Sequence, residues 1–431
     1  MVARHGPANY LADRAARLAN SWSILDLSSQ TSFIHNLALD WATTQELYQF
    51  TQRLIQIPSL STQEGELASL IVERLKTLGF TDVQVNAMGS IIVSLGNGNG
   101  PTLLYDAHMD TVAATDPGHW PHPPHAGVID NGMLYGLGAI DMKSALASMI
   151  YGVHQLLPYQ DRLNGTLVLA FVVQEEPCEG LAIRAIIEED GIRPDYVLLG
   201  EPTNMQISRG QRGRVMFKIA VEGKSSHGSQ PALGQNAIYA AARLIFSIQL
   251  MADSLPKDPF LGPGTIAVTK IESRSPSLNA IPDLCKVYVD RRLTLGETVS
   301  AALAQIESML TREDIPATVQ ITTYDEPSYT GAVHVAREAH PAWVLDKSHP
   351  LVTTLNHVIQ TVRNTPPEIG HWPFSTDGVY TMGQAHIPTV GFGPGDPNLA
   401  HTNQECVRLD DLRAAAQVYA GLAAMILMNE P

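Results

Sequence analysis

Cysteine is scarce in this sequence, and long apolar runs are absent from it. Three cysteines occur among 431 residues, at Cys178, Cys285 and Cys406. An odd number of widely separated cysteines predicts no disulfide framework and fits a reducing compartment. No apolar run approaches the roughly 20 residues that a membrane span needs, and the N-terminus lacks the uninterrupted apolar segment of a secretory signal. We therefore expect a soluble, cytoplasmic protein with no membrane partner.

Basic residues are also under-represented. The sequence has 28 Lys and Arg against 43 Asp and Glu, which gives a formal net charge of −15 at pH 7. This acidic balance argues against nucleic acid or an anionic membrane as the main partner. The hydrophobic fraction of 45% is ordinary for a globular protein, and the chain exceeds the roughly 250–300 residues at which a single core stops growing. Two domains are therefore expected.

The first domain is expected to be a doubly wound α/β domain. Residues 1–32 show no sustained period and are interpreted as a tail without an assigned role. Over residues 33–210, strands alternate with helices, and the strands end in histidine or carboxylate residues. The predicted strands Thr166–Val173 and Tyr196–Leu199 are almost wholly apolar, as parallel strands buried on both faces should be. This order predicts a mixed sheet with helices on both faces and a site along one edge.

A different pattern begins after the first domain. Over residues 211–324, half-exposed strands and two helices follow the order β-α-β-β-α-β, which predicts an inserted, ferredoxin-like α+β domain. Over residues 325–431 the chain returns to the first domain. It ends there with a predicted strand at Pro388–Phe392 and an amphipathic helix at Leu409–Leu427.

The stretch Leu103–Val112 offers the first candidate for a functional site. Its apolar start predicts a short buried strand, which ends in Asp106, His108 and Asp110. Because alternate side chains of a strand share a face, these three point the same way at the carboxyl end, where open α/β sheets bind ligands. His108 is a candidate metal ligand whose other ring nitrogen Asp110 can hold, and Asp106 is interpreted as a structural polar group. Alone, such a triplet is more often a surface polar cluster.

Further candidate ligands follow other strands or begin a helix. The set of five is His108, Asp141, Glu176, Glu201 and His401. Imidazoles and carboxylates without cysteine suit a hydrolytic zinc site. Asp141 is predicted to be the N-cap of the next helix and the natural bridge between two ions about 3.5–4 Å apart. Of the pair Glu175 and Glu176, one carboxylate can ligate while the other acts as general base on metal-bound water.

Two other motifs carry less weight. The loop containing His119, His122 and His125 also contains several prolines, and we interpret it as a solvated loop rather than a second metal site. The run Gly136-Leu137-Gly138 lacks the strand, three spaced glycines and helix of a dinucleotide fingerprint.

Six motifs in one order resemble a known family. They are Y-D-A-H-M-D-T-V (105–112), G-L-G-A-I-D-M-K (136–143), Q-E-E-P-C-E-G (174–180), L-G-E-P-T (199–203), S-S-H-G-S-Q-P (225–231) and A-H-T-N-Q-E (400–405). The chain resembles the zinc amidohydrolase and exopeptidase family (peptidase clan MH) of acetylornithine deacetylase, succinyl-diaminopimelate desuccinylase, aminoacylase and glutamate carboxypeptidase. Within that family it resembles the YgeY-type, selenium-metabolism-linked hydrolases, through G-Q-R-G-R (210–214), D-R-R-L-T-L-G-E-T (290–298) and F-S-T-D-G-V (374–379).

The resemblance implies two zinc ions per subunit, with Co²⁺ or Mn²⁺ as substitutes. His108 and Glu201 would bind one ion, Glu176 and His401 the other, and Asp141 would bridge them. The inserted domain would serve as lid and dimerisation domain, which implies a homodimer. Departures from the family pattern lie outside this ligand set: Leu137 stands where the family commonly has Arg, and Ser144-Ala145 where it has a Gly pair.

The resemblance also implies roles for five other residues. Asp110 would orient the ligand His108, and Glu175 would be the general acid/base. His227 would reach the partner subunit's active site and polarise the scissile carbonyl there. Arg292 would hold a substrate carboxylate, and Asn279 would contact the substrate. Without the resemblance, these last three would be an exposed histidine, a half-exposed strand charge and a turn residue.

Three hypotheses of function compete. The leading one is a di-zinc hydrolase that cleaves a linear amide bearing a free carboxylate, as in an N-acyl amino acid or a dipeptide, through metal-bound hydroxide and a Glu general base. The second is hydrolysis of a carbamoyl or ureido intermediate of purine or pyrimidine breakdown. The third is an inactive metal-binding scaffold, which the complete ligand set disfavours, since pseudoenzymes typically lose the base or a ligand.

Overall fold

The computed structural model describes residues 27–428. Buried apolar side chains form two clusters, a larger one drawn from residues 34–207 and 336–428 and a smaller one from residues 215–315. We call these the main body and the small body. Residues 1–26 of the predicted tail lie outside the described residues. The last residues of the predicted tail, 27–32, belong to the helix Leu27–Asn36. Just after the predicted tail, Ile34 and Leu37 lie in the main core.

The main body is built on a mixed sheet of nine strands. In order across the sheet they are Val83–Val85, Ile91–Gly96, Thr166–Val172, Thr102–His108, Tyr196–Leu199, Thr389–Gly391, Ile207–Gln211 and Trp343–Val344, with Ile369–Trp372 also paired to Ile207–Gln211. The four strands from Thr166–Val172 to Thr389–Gly391 run parallel to one another. Nearly every residue of these four is buried. Because successive side chains point to opposite faces, both faces of the centre are covered.

Helices supply that cover. Those of the main body are Leu27–Asn36, Trp41–Gln56, Gly65–Thr77, Lys143–His154, Leu181–Glu188, Pro350–Arg363, Gly378–Thr381 and Leu409–Leu427. Lys143–His154 and Leu409–Leu427 pack closely, because Gly152 lets the backbone of Ala416 approach. Among residues 27–428, no helix is long and apolar enough to cross a membrane.

The small body carries an antiparallel sheet. Its strands are Thr265–Arg274, Leu284–Leu293, Gly213–Glu222 and Ala317–Ile321 in that spatial order, with Ala339–His340 added beside Gly213–Glu222, and its helices are Ala237–Met251 and Val299–Arg312. Buried and half-exposed residues alternate along Gly213–Glu222 and Leu284–Leu293. One face therefore packs on the helices, and the other carries polar side chains. The order of elements is the predicted β-α-β-β-α-β.

Short pairs of strands complete the structure. Val128–Asp130, Met133–Tyr135 and Cys406–Arg408 form a three-stranded sheet, while Lys257–Asp258 pairs with Gly262–Pro263 and Thr323–Tyr324 with Ala336–Arg337. The fold class is the predicted mixed α/β class with an inserted α+β unit. The exact domain boundaries stay a prediction, since Ala339–His340 still pairs with the small sheet beyond the predicted return at residue 325.

Candidate metal centre

The carboxyl ends of the four parallel strands converge on one edge of the main sheet. His108 ends one strand, and Glu175 and Glu176 follow the strand beside it. Glu201 follows Tyr196–Leu199, and the loop that carries His401 follows Thr389–Gly391. Because parallel strands present the same end at one edge, residues far apart in sequence meet there.

Asp141 lies between two imidazoles. Its Oδ1 is 2.8 Å from Nε2 of His108, and its Oδ2 is 3.3 Å from Nε2 of His401. Nε2 of His108 also lies 3.9 Å from Oε1 of Glu201, and Nε2 of His401 lies 3.1 Å from Oε2 of Glu176. The five predicted ligands thus form two pairs, each one histidine and one glutamate, on either side of Asp141.

The donor set fits divalent cations. Ligand atoms of His108, Asp141 and Glu176 lie within 4.8 Å of one another, and so do those of His108, Glu175 and Glu201. Burial, together with repulsion from neighbouring carboxylates, raises the pKa of Glu201 and Glu175 well above the usual range. So many buried carboxylates are costly together, and a divalent cation both neutralises them and uses their oxygens as ligands.

One expectation about Asp141 was wrong. The helix begins at Lys143, and the residue at the N-cap position is Met142, whose side chain makes no capping hydrogen bond. The Asp141 carboxylate faces His108 and His401 instead of the helix amides. Another carboxylate holds the Asp141 backbone: Oε1 of Glu405 accepts from the N–H groups of Ile140 at 3.0 Å and Asp141 at 3.3 Å.

The turn that carries Glu175 and Glu176 is also held by carboxylates. Oδ1 of Asp110 accepts from the N–H of Glu175 at 3.1 Å, and its Oδ2 accepts from the N–H of Glu176 at 3.2 Å. Oε1 of Glu64 accepts from the N–H of Gln174 at 3.0 Å. Oε1 of Glu175 lies buried without a hydrogen-bond partner among the described residues. The Glu175 carboxylate is thus free while its backbone is fixed.

Asp110 contacts His108 mainly through its backbone. Nδ1 of His108 lies 2.8 Å from the Asp110 carbonyl oxygen and 3.7 Å from its carboxylate. The sequence predicts that the Asp110 side chain orients the imidazole ring of His108. In the structure the main-chain carbonyl of Asp110 makes the closer contact and largely sets the orientation of that ring. The side chain acts on the neighbouring Glu175–Glu176 turn.

A cavity of about 320 Å³ opens beside these carboxylates. Besides Glu175 and four of the candidate ligands, its lining includes Glu179, Arg214, Arg292, Phe374 and Ser375. Arg292 thus faces the same space as the candidate ligands. A larger cavity of about 760 Å³ lies between two small-body helices, and no candidate ligand lines it.

His227 and Asn279 lie elsewhere. Both are exposed on the small body, and they are neighbours, since the N–H of Gly228 donates to the Asn279 carbonyl at 2.6 Å and His227 pairs with Ala280. Neither lines the cavity beside the candidate ligands of the same chain.

Sequence reasoning assigned no role to Glu179, Arg214 or Ser375. All three lie in motifs that carried the resemblance, and a signal was available for Arg214. It alternates with buried Gly213 and Val215 in a strand, which places it on the same polar face as the other half-exposed residues.

Comparisons with known proteins find a matching family and a matching relative. Residues 104–425 match the model of peptidase family M20/M25/M40. YgeY of Escherichia coli strain K12, an uncharacterized protein, is 36% identical over 388 residues, which cover 89% of this chain and 95% of that protein.

Solved structures share the fold. An M20 family metallo-carboxypeptidase, Sso-CP2 from Sulfolobus solfataricus, superposes with a TM-score of 0.71 at 16% identity, covering 90% of this chain and 99% of that one. YXEP from Bacillus subtilis, a dinuclear metal-binding peptidase of the M20 family, gives a TM-score of 0.66 at 17% identity with the same coverage.

Proposed function

The chain belongs to peptidase family M20/M25/M40, and on that premise we propose that it is a di-zinc hydrolase of linear amides that carry a free carboxylate. It is a metal-dependent hydrolase of peptide or amide bonds. Within that class, we propose an N-acyl amino acid deacylase or a dipeptidase of carboxypeptidase type. The observation that carries the proposal is the Asp141 carboxylate, which presents one oxygen to each of two histidine–glutamate pairs.

The ligand assignment follows these pairs. His108 and Glu201 would hold one zinc ion, Glu176 and His401 the other, and Asp141 would bridge them. Bound zinc supplies Lewis acidity, which lowers the pKa of water and polarises a carbonyl group. Carboxylate and imidazole ligands also accept Co²⁺ and Mn²⁺.

Glu175 is proposed as the general base and acid. Its carboxylate is buried, its Oε1 has no other hydrogen-bond partner among the described residues, and its backbone is held by Asp110. In hydrolysis, water adds to the amide carbon and gives one proton to Glu175. The C–N bond then breaks, and Glu175 passes that proton to the departing amine. The products are a carboxylic acid and an amine.

Arg292 is proposed to bind the substrate carboxylate. Its guanidinium lines the cavity and is fixed by Asp290 and Ser375, so it offers a preorganised fork. Such planar forks suit carboxylates. A substrate held there places its amide toward the candidate zinc ligands on the same cavity wall.

We propose that a homodimer completes the site. His227 and Asn279 do not line the cavity of their own chain, so a catalytic role requires another subunit. A surface for such contact is present on the small body. Tyr239, Phe246 and Leu250 are 70%, 60% and 62% exposed along one side of the helix Ala237–Met251, and the neighbouring edge strand Thr265–Arg274 pairs on one side only. Contiguous exposed apolar groups beside a free strand edge are typical of subunit interfaces.

A substrate screen of the zinc-loaded protein tests the proposal. The panel contains N-acetyl amino acids, dipeptides and N-carbamoyl amino acids. Release of an amine and a carboxylic acid from the first two groups supports the proposal. Turnover restricted to the carbamoyl group, with release of ammonia and carbon dioxide, would replace it with the ureido hydrolase alternative. Full metal occupancy without turnover of any member would favour the scaffold hypothesis.

A further inference from the structure

Five side chains beside the cavity form a closed ring of hydrogen bonds and ion pairs. Four of them line the cavity, namely Glu179, Arg214, Arg292 and Ser375, and Asp290 completes the ring. Nη1 of Arg214 donates to both oxygens of Glu179, at 2.9 and 3.1 Å. Oγ of Ser375 donates to Oε1 of Glu179 at 2.6 Å and accepts from Nη1 of Arg292 at 3.2 Å. Arg292 holds Asp290 with two bonds of 2.7 and 3.0 Å, and Asp290 lies 3.4 Å from Nε of Arg214.

The ring joins the two bodies. Glu179 and Ser375 belong to loops of the main body, whereas the other three members lie on the polar face of the small sheet. Arg214 and Arg292 are direct partners in the register of two adjacent strands, so their side chains stand next to each other. The two bodies are joined covalently along the chain, and the ring adds a polar contact between them. This contact fixes Arg292 against the main body.

Glu179 also belongs to the turn that bears the proposed base. It follows Glu175 and Glu176 in the same motif, and the side chain of Asp110 fixes that turn from the other side. Arg292 is therefore connected to Glu179 by two routes, one through Ser375 and one through Asp290 and Arg214. Glu179 in turn lies on the loop that carries Glu175. The side chains of Glu179 and Arg214 are only 8% and 17% exposed.

The ring carries no net charge, since two guanidinium groups face two carboxylates. Burial alone would raise the pKa of Glu179, but Arg214 and His340 outweigh it and lower that pKa, so Glu179 is ionised. The ring therefore adds no general attraction for anions. It acts on a substrate carboxylate through the fixed position of the Arg292 fork.

We propose that Glu179 and Arg214 are positioning residues that fix Arg292 at a set distance from Glu175, so that the enzyme selects amides by the spacing between the substrate carboxylate and the scissile bond. This inference rests on the proposed function. The favoured substrates have the carboxylate on the carbon next to the amide nitrogen, as in the N-acyl amino acids and dipeptides of the proposed function. Amides with one or two additional methylene groups place the carbonyl away from the base.

Two substitutions loosen the ring in different ways. Glu179→Gln keeps the shape but removes the charge that Arg214 binds. Arg214→Lys keeps the charge but loses the fork that contacts Glu179 and Asp290 together. A matched control is Glu313→Gln, which removes the carboxylate of another Arg–Glu pair of the small body, with Arg312, away from the cavity. Circular dichroism and bound zinc establish that each variant is folded and loaded.

The experiment measures kcat/KM of the zinc-loaded, full-length proteins on three amines of increasing spacing. These are alanine, β-alanine and 4-aminobutyrate, each as the N-acetyl derivative and as the glycyl dipeptide. In the wild type, kcat/KM for the alanine substrate is expected to be about 100-fold higher than kcat/KM for the 4-aminobutyrate substrate, since a misplacement of the reacting groups near 1 Å costs about that factor. Both ring variants are expected to lower this ratio at least about tenfold, mainly through kcat for the alanine substrate. The control Glu313→Gln is expected to leave the ratio unchanged.

Each outcome decides between the two proposals. If the wild type hydrolyses the alanine substrates and the folded ring variants retain its ratio, the positioning role is wrong while the proposed function stands. A wild type that turns over all three spacings equally also overturns the positioning role. If the wild type hydrolyses neither series, the proposed substrate class fails and the spacing selection fails with it.

Discussion

The backbone N–H of Glu175 donates a hydrogen bond of 3.1 Å to Oδ1 of Asp110. The other oxygen of Asp110 accepts from the next residue of the turn and from Oγ of Ser61 at 2.6 Å. Through this contact Asp110 determines where the proposed base and its neighbouring ligand lie. Its carbonyl oxygen meanwhile holds the ring of His108. One residue thus fixes two parts of the centre.

Asp110→Asn is expected to lower kcat by about 10- to 100-fold, the range found when residues that orient metal ligands are changed. In asparagine an NH₂ donor replaces one of the two carboxylate oxygens, so one of the two amides of the turn loses its acceptor. Steady-state kinetics and zinc content measure the effect. Ser61→Ala, which removes a single bond to Asp110, is the milder control. Wild-type kcat in Asp110→Asn would contradict the role of this contact.

Glu175→Gln is expected to lower kcat strongly without loss of zinc. Removal of the proton acceptor should lower kcat by about 10²- to 10⁴-fold, while the five proposed ligands remain. Kinetics with metal analysis of the same sample tests this. Glu176→Gln serves as the contrast, since there the loss of zinc should accompany the loss of activity. An active Glu175→Gln enzyme would remove Glu175 from the mechanism.

Mixing two inactive variants tests the proposed contribution of His227 to the partner's site. His227→Ala and Glu175→Gln dimers are unfolded, mixed and refolded together. If His227 acts across the interface, each mixed dimer has one intact site, and random pairing in a two-fold dimer restores about one quarter of wild-type activity. If His227 acts within its own chain, both sites of a mixed dimer are defective. The mixture then stays as inactive as its components.

Glu64 makes stability depend on pH. Burial, with repulsion from Asp110, raises the pKa of Glu64 from 4.5 to about 7. Between these values the folded state binds more protons than the unfolded state, so the contribution of Glu64 to stability falls as pH rises through this window. Glu64→Gln removes the ionisation, and relative to wild type it should gain up to about 3 kcal/mol between pH 4.5 and pH 8.

Denaturant unfolding of the zinc-loaded wild type and Glu64→Gln at several pH values measures that difference. Subtracting the two curves cancels the pH dependence of all other groups. A difference in unfolding free energy that is the same at pH 5 and pH 8 would show that Glu64 does not titrate in this window.

The sequence predicted the sheet and the edge that carries the candidate ligands because those features depend on local pattern. Apolar runs that stop at His108 or before Glu201 identify buried strands and their ends. The assignment of Asp141 as a helix cap failed for a tertiary reason, since two imidazoles from distant segments engage its carboxylate. A cap preference of about 1 kcal/mol is easily outweighed by such contacts.

The ring around Arg292 was out of reach of local pattern for a related reason. Arg214 and Arg292 are neighbours through the register of strands that are far apart in sequence, and their contact to Glu179 depends on how the two bodies meet. A short stretch of sequence encodes neither the strand register nor the way in which the two bodies meet. The carboxylates of Glu64 and Glu405 likewise bind backbone amides of distant turns, and acidic residues in loops are ordinarily solvated.

Zinc titration of the metal-stripped protein tests the central claim most directly, namely that two ions bridged by Asp141 support amide hydrolysis. Bound zinc and hydrolysis of the best substrate from the screen are followed in the same samples. We expect no turnover in the stripped protein, and full turnover when two zinc ions are bound per chain. Asp141→Asn should not reach that occupancy at the same zinc concentration. Full turnover by the metal-free protein would contradict the account.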